Sequence, residues 1–315
     1  MTDHRRSRPT EVPPCPGEPP GGPGSQRSDF ELKPADFRRL SAFIYDRLGI
    51  HLPPVKKTLL EGRLRKRLIA LGLPSFTAYC DLLFSERGQA EEVPQMIDLV
   101  TTNKTDFFRE PDHFTYLTTT ALPRLQAGQA RPPDKPLRVW SAGCSSGEEP
   151  YTLALVLSEY ATAHPPFSFT ILATDISSRM LAIATAGIYP EERIAPIPQH
   201  LRERFLLRSR DRSRRLIKFA PEIRRTIRFE KLNLKDIPPT FRETFHIIFC
   251  RNVIIYFDRP TQGWLLEQLV RRLVPGGYLF LGHSEALTGM RHEHLHGVAP
   301  TVYRKMGGPG GKDVP

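Results

Sequence analysis

The chain has 315 residues, enough for one ordinary domain and a smaller companion, and its 39% hydrophobic and 25% charged residues are typical of globular proteins. It contains no apolar run near the ~20 residues that a membrane-spanning helix needs, and it begins without the apolar core of a secretory signal. Its four cysteines (Cys15, Cys80, Cys144 and Cys250) form no C-x-x-C pair. We therefore expect a cytoplasmic protein without a zinc site, a disulfide framework or a membrane insertion.

The formal net charge is +11, and two segments carry much of it. Residues 202–228 contain eleven Lys or Arg against three Asp or Glu, a local charge of +8. A second basic cluster, "EGRLRKRL", spans residues 61–68. Such clusters indicate an acidic partner, which can be a nucleic acid, lipid headgroups or an acidic protein surface.

The first third of the sequence predicts a tail followed by a helical domain. Residues 1–28 are rich in Pro and Gly and predict a disordered tail. Residues 29–98 predict short helices, because apolar residues recur at helical spacing in two stripes: Phe37, Leu40, Ile44 and Leu48, then Leu60, Leu64, Leu68 and Leu71. Gly49 ends the first stripe, and Ser75 is placed to cap a third helix.

From residue 137 onwards, strands alternate with helices. The strand-like segments are "LRVWSA", "FSFTILATD", "TIRFEKLNL", "FHIIFCRN" and "GYLFLGHSE". Pro150 and Ser177 are placed to begin helices after the first two of them, and "PTQGWLLEQLVRRLV" predicts a helix between the last two. This alternation predicts an α/β fold with a mostly parallel sheet covered on both faces, and such sheets bind ligands at the carboxyl ends of their strands.

The first strand runs into a Gly-rich turn, "SAGCSSGEEP", over residues 141–150. Its glycines permit a tight turn and a close approach of the backbone to a ligand. The turn lacks the G-K-[ST] ending of a phosphate loop, and it carries Glu148 and Glu149. Two carboxylates at the start of a helix predict a positively charged small ligand rather than a pyrophosphate.

Polar residues also follow the other strands. Asp175 ends the second strand, where a carboxylate can accept both hydroxyls of a ribose or can simply favour the helix that follows. Asn233 follows the third strand, and Asn252 and Tyr256 follow the fourth. Acidic residues can hold a charged amino-acid portion and a ribose, and side-chain amides can bind adenine. Together these groups predict S-adenosylmethionine as the ligand.

Five segments taken together resemble one family. The segments "TTNKTDFFRE", "VWSAGCSSGEEPYT", "ATDIS", "FCRNVIIYFD" and "LGHSE" are similar, in the same order, to those of the CheR family of chemotaxis receptor glutamate O-methyltransferases. The resemblance covers about residues 30–305. It implies that the helical domain docks on receptors and that residues 99–306 form a Rossmann-like methyltransferase domain. It also implies an inserted basic β-subdomain at about 193–230, and we expect a flexible tail at 307–315.

The resemblance also implies roles for individual residues. It marks nine cofactor contacts: Asn103, Thr105, Arg109, Glu149, Asp175, Asn233, Leu234, Asn252 and Val253. Arg109 and Tyr256 match the polar pair that the family places near the transferred methyl group. The implied reaction moves this methyl group from S-adenosylmethionine to receptor glutamates, leaving S-adenosylhomocysteine, with no metal. The implied partners are methyl-accepting chemotaxis receptors or similar acidic helical domains, at membrane receptor arrays, and we expect Arg63, Lys66 and Arg67 to dock on them.

Two other functions stay open on the residues alone. A nucleic-acid methyltransferase would use the basic segments for phosphate contacts. However, "CRNVIIYF" stands where DNA amino-methyltransferases carry [DN]-P-P-[YFW]. A non-catalytic module that binds the cofactor and receptors is the second alternative, and the presence of Arg109, Tyr256 and Asn252 argues against it. We expect a monomer with no stable nucleic-acid partner.

The segment "TTNKTDFFRE" (101–110) is unusual because it precedes the Gly-rich turn and is nevertheless rich in polar and aromatic side chains. We expect it to join the helical domain to the sheet and to reach over the strand ends. Asn103, Thr105 and Arg109 would then face the ligand, while Phe107 and Phe108 anchor the segment in the core.

Overall fold

The structure is a computed structural model that describes residues 30–128, 135–287 and 292–307. The tails predicted at 1–28 and 307–315 therefore lie outside the described residues, apart from Gly307. The helices are α1 (Pro34–Leu48), α2 (Lys57–Ala70), α3 (Phe76–Phe84), α4 (Glu86–Val100), α5 (Pro111–Tyr116), α6 (Leu122–Ala127), α7 (Glu148–Ala163), α8 (Ser178–Ala186), α9 (Gln199–Phe205), α10 (Pro221–Arg224) and α11 (Arg259–Arg272). None of those helices combines the length and apolar character that crossing a membrane demands.

Helices α1 to α4 form the helical unit that the two apolar stripes predict. The residues of the first stripe are all buried, and Leu60, Leu64 and Leu68 of the second stripe join them in one core. Gly49 ends α1 in the left-handed region, with φ at 71°. Ser75 caps α3, as expected, by accepting a hydrogen bond from Ala78 N at 3.2 Å.

In the described parts of the chain, ten strands form two sheets: β1 (Leu137–Ala142), β2 (Phe169–Asp175), β3 (Ile188–Pro190), β4 (Leu206–Arg208), β5 (Leu216–Phe219), β6 (Ile227–Lys231), β7 (Phe245–Cys250), β8 (Leu273–Leu281), β9 (Leu295–Ala299) and β10 (Val302–Lys305). The main sheet has the order β6-β2-β1-β7-β8-β10-β9. Its first five strands are parallel, and β10 and β9 are antiparallel to their neighbours. The α/β class is confirmed, whereas β9 and β10 were not predicted.

Both faces of the main sheet are covered, as the alternation of strands and helices predicts. Successive residues of a strand point to opposite faces. Val139 and Phe249 accordingly pack with α7 on one face, whereas Trp140 and Cys250 pack with α11 on the other.

A three-stranded antiparallel sheet, ordered β3-β5-β4, is inserted between β2 and β6. Its strands span residues 188–219. The insertion was expected at about 193–230, so its first strand begins earlier than expected. The last residues of the expected range instead belong to β6, which pairs with β2 in the main sheet. Residues 202–228 are basic throughout, so their composition does not indicate where the inserted sheet ends and the main sheet resumes.

Candidate functional site

A cleft with a volume of about 260 Å³ opens between the helical unit and the carboxyl ends of the main-sheet strands. The turns after β1, β2, β6 and β7 form one side, and α1, α2 and the segment between them form the other. The lining includes all nine residues that the resemblance assigns to the cofactor: Asn103, Thr105, Arg109, Glu149, Asp175, Asn233, Leu234, Asn252 and Val253. Tyr256 and Arg63 line the same cleft.

Asp175 ties the Gly-rich turn to the start of α8. One carboxylate oxygen accepts from Ser145 N at 2.8 Å, and the other accepts from Ser177 N at 2.9 Å. Burial raises the pKa of Asp175, while these main-chain N–H groups act in the opposite direction. Each carboxylate oxygen has a second lone pair, so the residue can fix the loop and also accept a ligand hydroxyl.

The Gly-rich turn approaches the turn after β7 so closely that a side chain does not fit. Gly143 has φ at 82°, and an added Cβ would lie 2.4 Å from Cγ2 of Val253. Ser145 also lies in the left-handed region, with φ at 49°, and its hydroxyl donates to Asn103 O at 3.0 Å. Two strand-end turns and residue 103 are thereby held together at the cleft.

The two acids of the Gly-rich turn each have an arginine partner, which the sequence did not reveal. Arg251 Nε donates to Glu149 at 2.8 Å, and Ser141 Oγ donates to the other oxygen of the same carboxylate at 2.7 Å. Arg193, from the inserted segment, binds Glu148. These cations offset the negative charge that was expected to favour a cationic ligand, although Glu149 still lines the cleft.

Arg251 is the main site residue that the sequence reasoning missed. Its side chain is 3% exposed, and Nη1 donates to Arg109 O at 2.8 Å and to Glu110 at 3.3 Å. Its guanidinium also lies 5.4 Å from the ring centroid of Phe114. The available signal was an arginine directly after the predominantly apolar segment "FHIIFC", because a buried arginine requires acidic partners.

Residues 101–110, which we call the strap, cross from α4 to α5 over the strand ends. Phe107 is buried, with its ring centroid 5.1 Å from that of Tyr189 in the inserted sheet. Phe108 is half-buried against Phe114, and its N–H donates to Thr152 Oγ1 at 3.1 Å. The two aromatics thus anchor the strap in the core, as expected.

The two residues expected near the transferred methyl group reach the cleft from different elements. Arg109, on the strap, donates from Nη1 to Lys104 O at 3.0 Å. Tyr256 lies in a short 3-10 turn after β7, and its carbonyl accepts from His51 N of the helical unit at 3.2 Å. Within the described ranges, no residue forms a hydrogen bond with the Tyr256 hydroxyl, so this group is available to a ligand.

The two asparagines expected to recognise adenine already use some of their hydrogen-bonding groups within the protein. Asn233 Nδ2 donates to Arg47 O at the end of α1 at 2.8 Å, and its Oδ1 accepts from Lys235 N at 3.0 Å. Asn252 has φ at 58°, and its Nδ2 lies 3.4 Å from Glu110 Oε1. A side-chain amide has two N–H donors and two lone pairs, so each residue retains capacity for a ligand.

The three residues of the expected docking set, Arg63, Lys66 and Arg67, differ in their partners and in their exposure. Arg63 donates to Val100 O and, at 2.7 Å, to Thr102 Oγ1, so it holds the start of the strap. Arg67 forms an ion pair with the buried carboxylate of Glu92 at 2.6 Å. Helical spacing places these two residues on the flank that faces α4, and only Lys66 of the three is exposed.

Glu110, His113 and His283 come close enough together to hold a metal ion, with their ligand atoms within 4.8 Å of one another. His113 Nδ1, however, faces Arg251 Nη1 at 3.2 Å, and its Nε2 lies 3.0 Å from Thr301 Oγ1. Burial and the adjacent Arg251 lower the pKa of His113 to about 4. Both ring nitrogens of His113 thus have partners within the protein, and the positive charge of Arg251 lies beside them. The absence of a metal stays a prediction.

The parallel sheet with a Gly-rich turn after β1 and an acid after β2 is an arrangement that doubly wound nucleotide-binding folds share. Within that group, the match of residues 103–302 to a family model places the chain among S-adenosylmethionine-dependent methyltransferases. Residues 103–302 match the family "CheR methyltransferase, SAM binding domain", and residues 35–101 match "CheR methyltransferase, all-alpha domain". The chain belongs to the CheR methyltransferase family, which confirms the resemblance seen in the sequence.

Relatives from several bacteria are similar over most of their length. The chemotaxis protein methyltransferase of Borreliella burgdorferi is 39% identical over 86% of this chain and 94% of its own. Chemotaxis protein methyltransferase 2 of Pseudomonas aeruginosa is 38% identical over 87% of this chain and 94% of its own. The chemotaxis protein methyltransferase of Escherichia coli K12 is 38% identical over 81% of this chain and 85% of its own.

Proposed function

We propose that this protein transfers the methyl group of S-adenosylmethionine to glutamate side chains of chemoreceptors, giving glutamate methyl esters that serve chemotaxis adaptation. The observation that carries the proposal is the single cleft in which the nine expected cofactor residues and Tyr256 meet. The family and the names of the relatives supply the chemotaxis context.

The cofactor supplies an activated methyl group on a sulfonium, and the acceptor carboxylate replaces the sulfur at the methyl carbon. Glutamate has an ordinary pKa of about 4.3, so it is ionised near pH 7 and needs no general base. The cleft accordingly has to position the reactants rather than remove a proton, with the reacting atoms about 3 Å apart and in line.

Within the cleft, we assign Asp175 to the ribose hydroxyls and Glu149, with its Arg251 partner, to the amino-acid portion of the cofactor. Asn233 and Asn252 remain the candidates for adenine. Their positions after β2, β1, β6 and β7 support this division, because these strand ends lie side by side in the sheet.

Arg109 and Tyr256 are assigned to the acceptor. Arg109 orients the acceptor or cofactor carboxylate, and the Tyr256 hydroxyl donates a hydrogen bond to the acceptor. We expect Arg109→Ala and Tyr256→Phe to lower kcat about 10- to 100-fold while S-adenosylhomocysteine still binds. Steady-state kinetics beside calorimetry checks this, and unchanged turnover in both variants would remove the assignment.

The helical unit, assigned to 29–98, is proposed to dock on the receptor. Lys66 is exposed on α2, two helical turns after the half-exposed Leu59 that lines the cleft, and this supports docking of an acidic helix on α2. The inserted basic β-subdomain is proposed as a second contact with the receptor. The protein would act as a cytoplasmic monomer recruited to membrane receptor arrays.

A labelled-methyl assay tests the function directly. Receptor membranes, tRNA and DNA are offered separately with labelled S-adenosylmethionine, and the product is treated with base. We expect base-labile label on the receptor alone, because carboxyl methyl esters hydrolyse under these conditions. Label on tRNA or DNA would support a nucleic-acid methyltransferase, and cofactor binding without any transfer would support a non-catalytic module.

A further inference from the structure

Glu285 follows β8 at the edge of the site, and no step proposed above uses it. It is buried, at 5% exposure. Its Oε2 accepts from Asn252 N at 2.6 Å and from Gly282 N at 2.8 Å, and its Oε1 accepts from Ile255 N at 3.2 Å. One carboxylate therefore binds three main-chain N–H groups from the ends of two adjacent parallel strands.

The ends of β7 and β8 lie so close together at this carboxylate that the main chain has no room to shift. A Cβ on Gly282 would lie 2.6 Å from Asn252 Nδ2 and 2.8 Å from Glu285 Oε2. Asn252 occupies the left-handed region, which costs free energy for a residue with a side chain. The carboxylate offsets this cost because it accepts the N–H of the same residue.

The turn that Glu285 binds, residues 252–255, carries side chains that line the cleft. Asn252 and Val253 belong to it, and Tyr256 follows directly. Val253 also contacts the Gly-rich turn, since its Cγ2 occupies the space that a side chain on Gly143 would need. A shift of this turn would therefore move a proposed adenine contact, the packing against the Gly-rich turn and the proposed acceptor contact together.

We propose that Glu285 is a positioning residue: through the main chain of residues 252–255 it sets the geometry of both the cofactor contacts and Tyr256. The inference rests on the proposed function for the role of Tyr256, but its effect on cofactor binding does not depend on which acceptor is methylated. Hydrogen bonds to an ionised acceptor are about twice as strong as neutral ones, so the charge of Glu285 matters as well as its shape.

The test compares Glu285→Gln with the wild-type protein. Glutamine keeps the shape, but its NH2 group must face one of the three N–H donors. We expect S-adenosylhomocysteine to bind about tenfold more weakly by calorimetry and kcat to fall about tenfold or more. The KM for the receptor should change less than about twofold, because the proposed docking face on α2 is separate from this turn.

Glu92→Gln is the matched control, because Glu92 is another buried carboxylate, at 3% exposure, bound by Arg67 and Tyr79 inside the helical unit. We expect it to lower the unfolding midpoint and leave the affinity for S-adenosylhomocysteine unchanged.

Three results would overturn the proposal: unchanged binding and kcat in Glu285→Gln, equal weakening by Glu92→Gln, or loss of folding in Glu285→Gln, which would make Glu285 a residue of fold stability. A wild-type protein that binds S-adenosylhomocysteine but methylates no receptor would instead contradict the proposed function.

Discussion

Arg251 shows how a single buried charge links two parts of the site. Its guanidinium joins Glu149 on the Gly-rich turn to Glu110 and the Arg109 carbonyl on the strap. The net gain from a buried ion pair is often small, since both ions lose water. Removal of one partner is nevertheless costly, because the other charge stays buried without compensation.

Arg251→Met should therefore destabilise the fold by about 3–5 kcal/mol, since it leaves Glu149 and Glu110 without their cation. Urea denaturation followed by circular dichroism measures this change. Arg271→Met is the matched control: Arg271 pairs with Glu267 on the surface, at 66% and 42% side-chain exposure, and should lose at most about 1 kcal/mol. Equal losses in the two variants would contradict the burial argument.

His113 makes the stability of the protein depend on pH. Burial and Arg251 lower its pKa in the folded protein to about 4, against about 6.5 in the unfolded chain, while Glu110 acts in the opposite direction and His283 adds to the lowering. Between these values the unfolded chain binds a proton that the folded protein does not. Stability should therefore fall by about 2–3 kcal/mol as pH drops from 6.5 to 4, and change little from this group below pH 4.

His113→Gln removes the titrating group and should flatten that part of the profile. Urea midpoints measured at half-unit steps from pH 7.5 to 4.5, for the wild-type protein and the variant, test this. Two parallel profiles would show that His113 does not contribute, because all other titrating groups are shared.

At the scale of elements, local patterns predicted much of the molecule, and contacts between distant residues accounted for what was missed. The helical stripes, the Ser75 cap and the five parallel strands follow from spacing and from turn residues close in sequence. Glu148 pairs with Arg193, which is 45 residues away in the sequence, and Glu149 pairs with Arg251, which is 102 residues away. The strand β9 has no run of apolar residues that would mark it, and its pairing with β10 supplies the structure.

Two glycines with different surroundings, Gly143 in the Gly-rich turn and Gly62 in α2, give opposite predictions. Gly143→Ala places a Cβ 2.4 Å from Val253 Cγ2 at φ 82°, so it should displace the turn and weaken S-adenosylhomocysteine binding about tenfold or more. Gly62→Ala, in the exposed part of α2, meets nothing within 4 Å and should stabilise the fold by about 0.5–1 kcal/mol. Calorimetry and thermal unfolding of both variants measure these effects, and tight cofactor binding by Gly143→Ala would show that the turn tolerates a side chain.

At the scale of the whole molecule, the helical unit is fastened to the strand ends that form the cleft. Tyr45 donates to Asp258 at 2.6 Å, Ser177 donates to Asp98 at 2.6 Å, and Asn233 binds the carbonyl end of α1. The proposed receptor surface on α2 is thus held at a fixed position relative to Tyr256, since the segment after α1 also pairs with the main chain of the Tyr256 turn.

Charge reversal at Lys66 tests whether α2 docks an acidic partner. Lys66→Glu should raise the KM for receptor about three- to tenfold at low salt and leave kcat and S-adenosylhomocysteine binding unchanged, because Lys66 is exposed and is not among the cleft residues. The difference from wild type should vanish near 0.5 M salt, where exposed charges are screened within a few ångströms. Arg271→Glu makes the same charge change at the end of α11, beside the amino ends of the strands, and should leave the KM for receptor unaltered. An equal rise in KM for both variants would point to net charge rather than docking at α2, and no rise for Lys66→Glu would place the receptor contact elsewhere on the molecule.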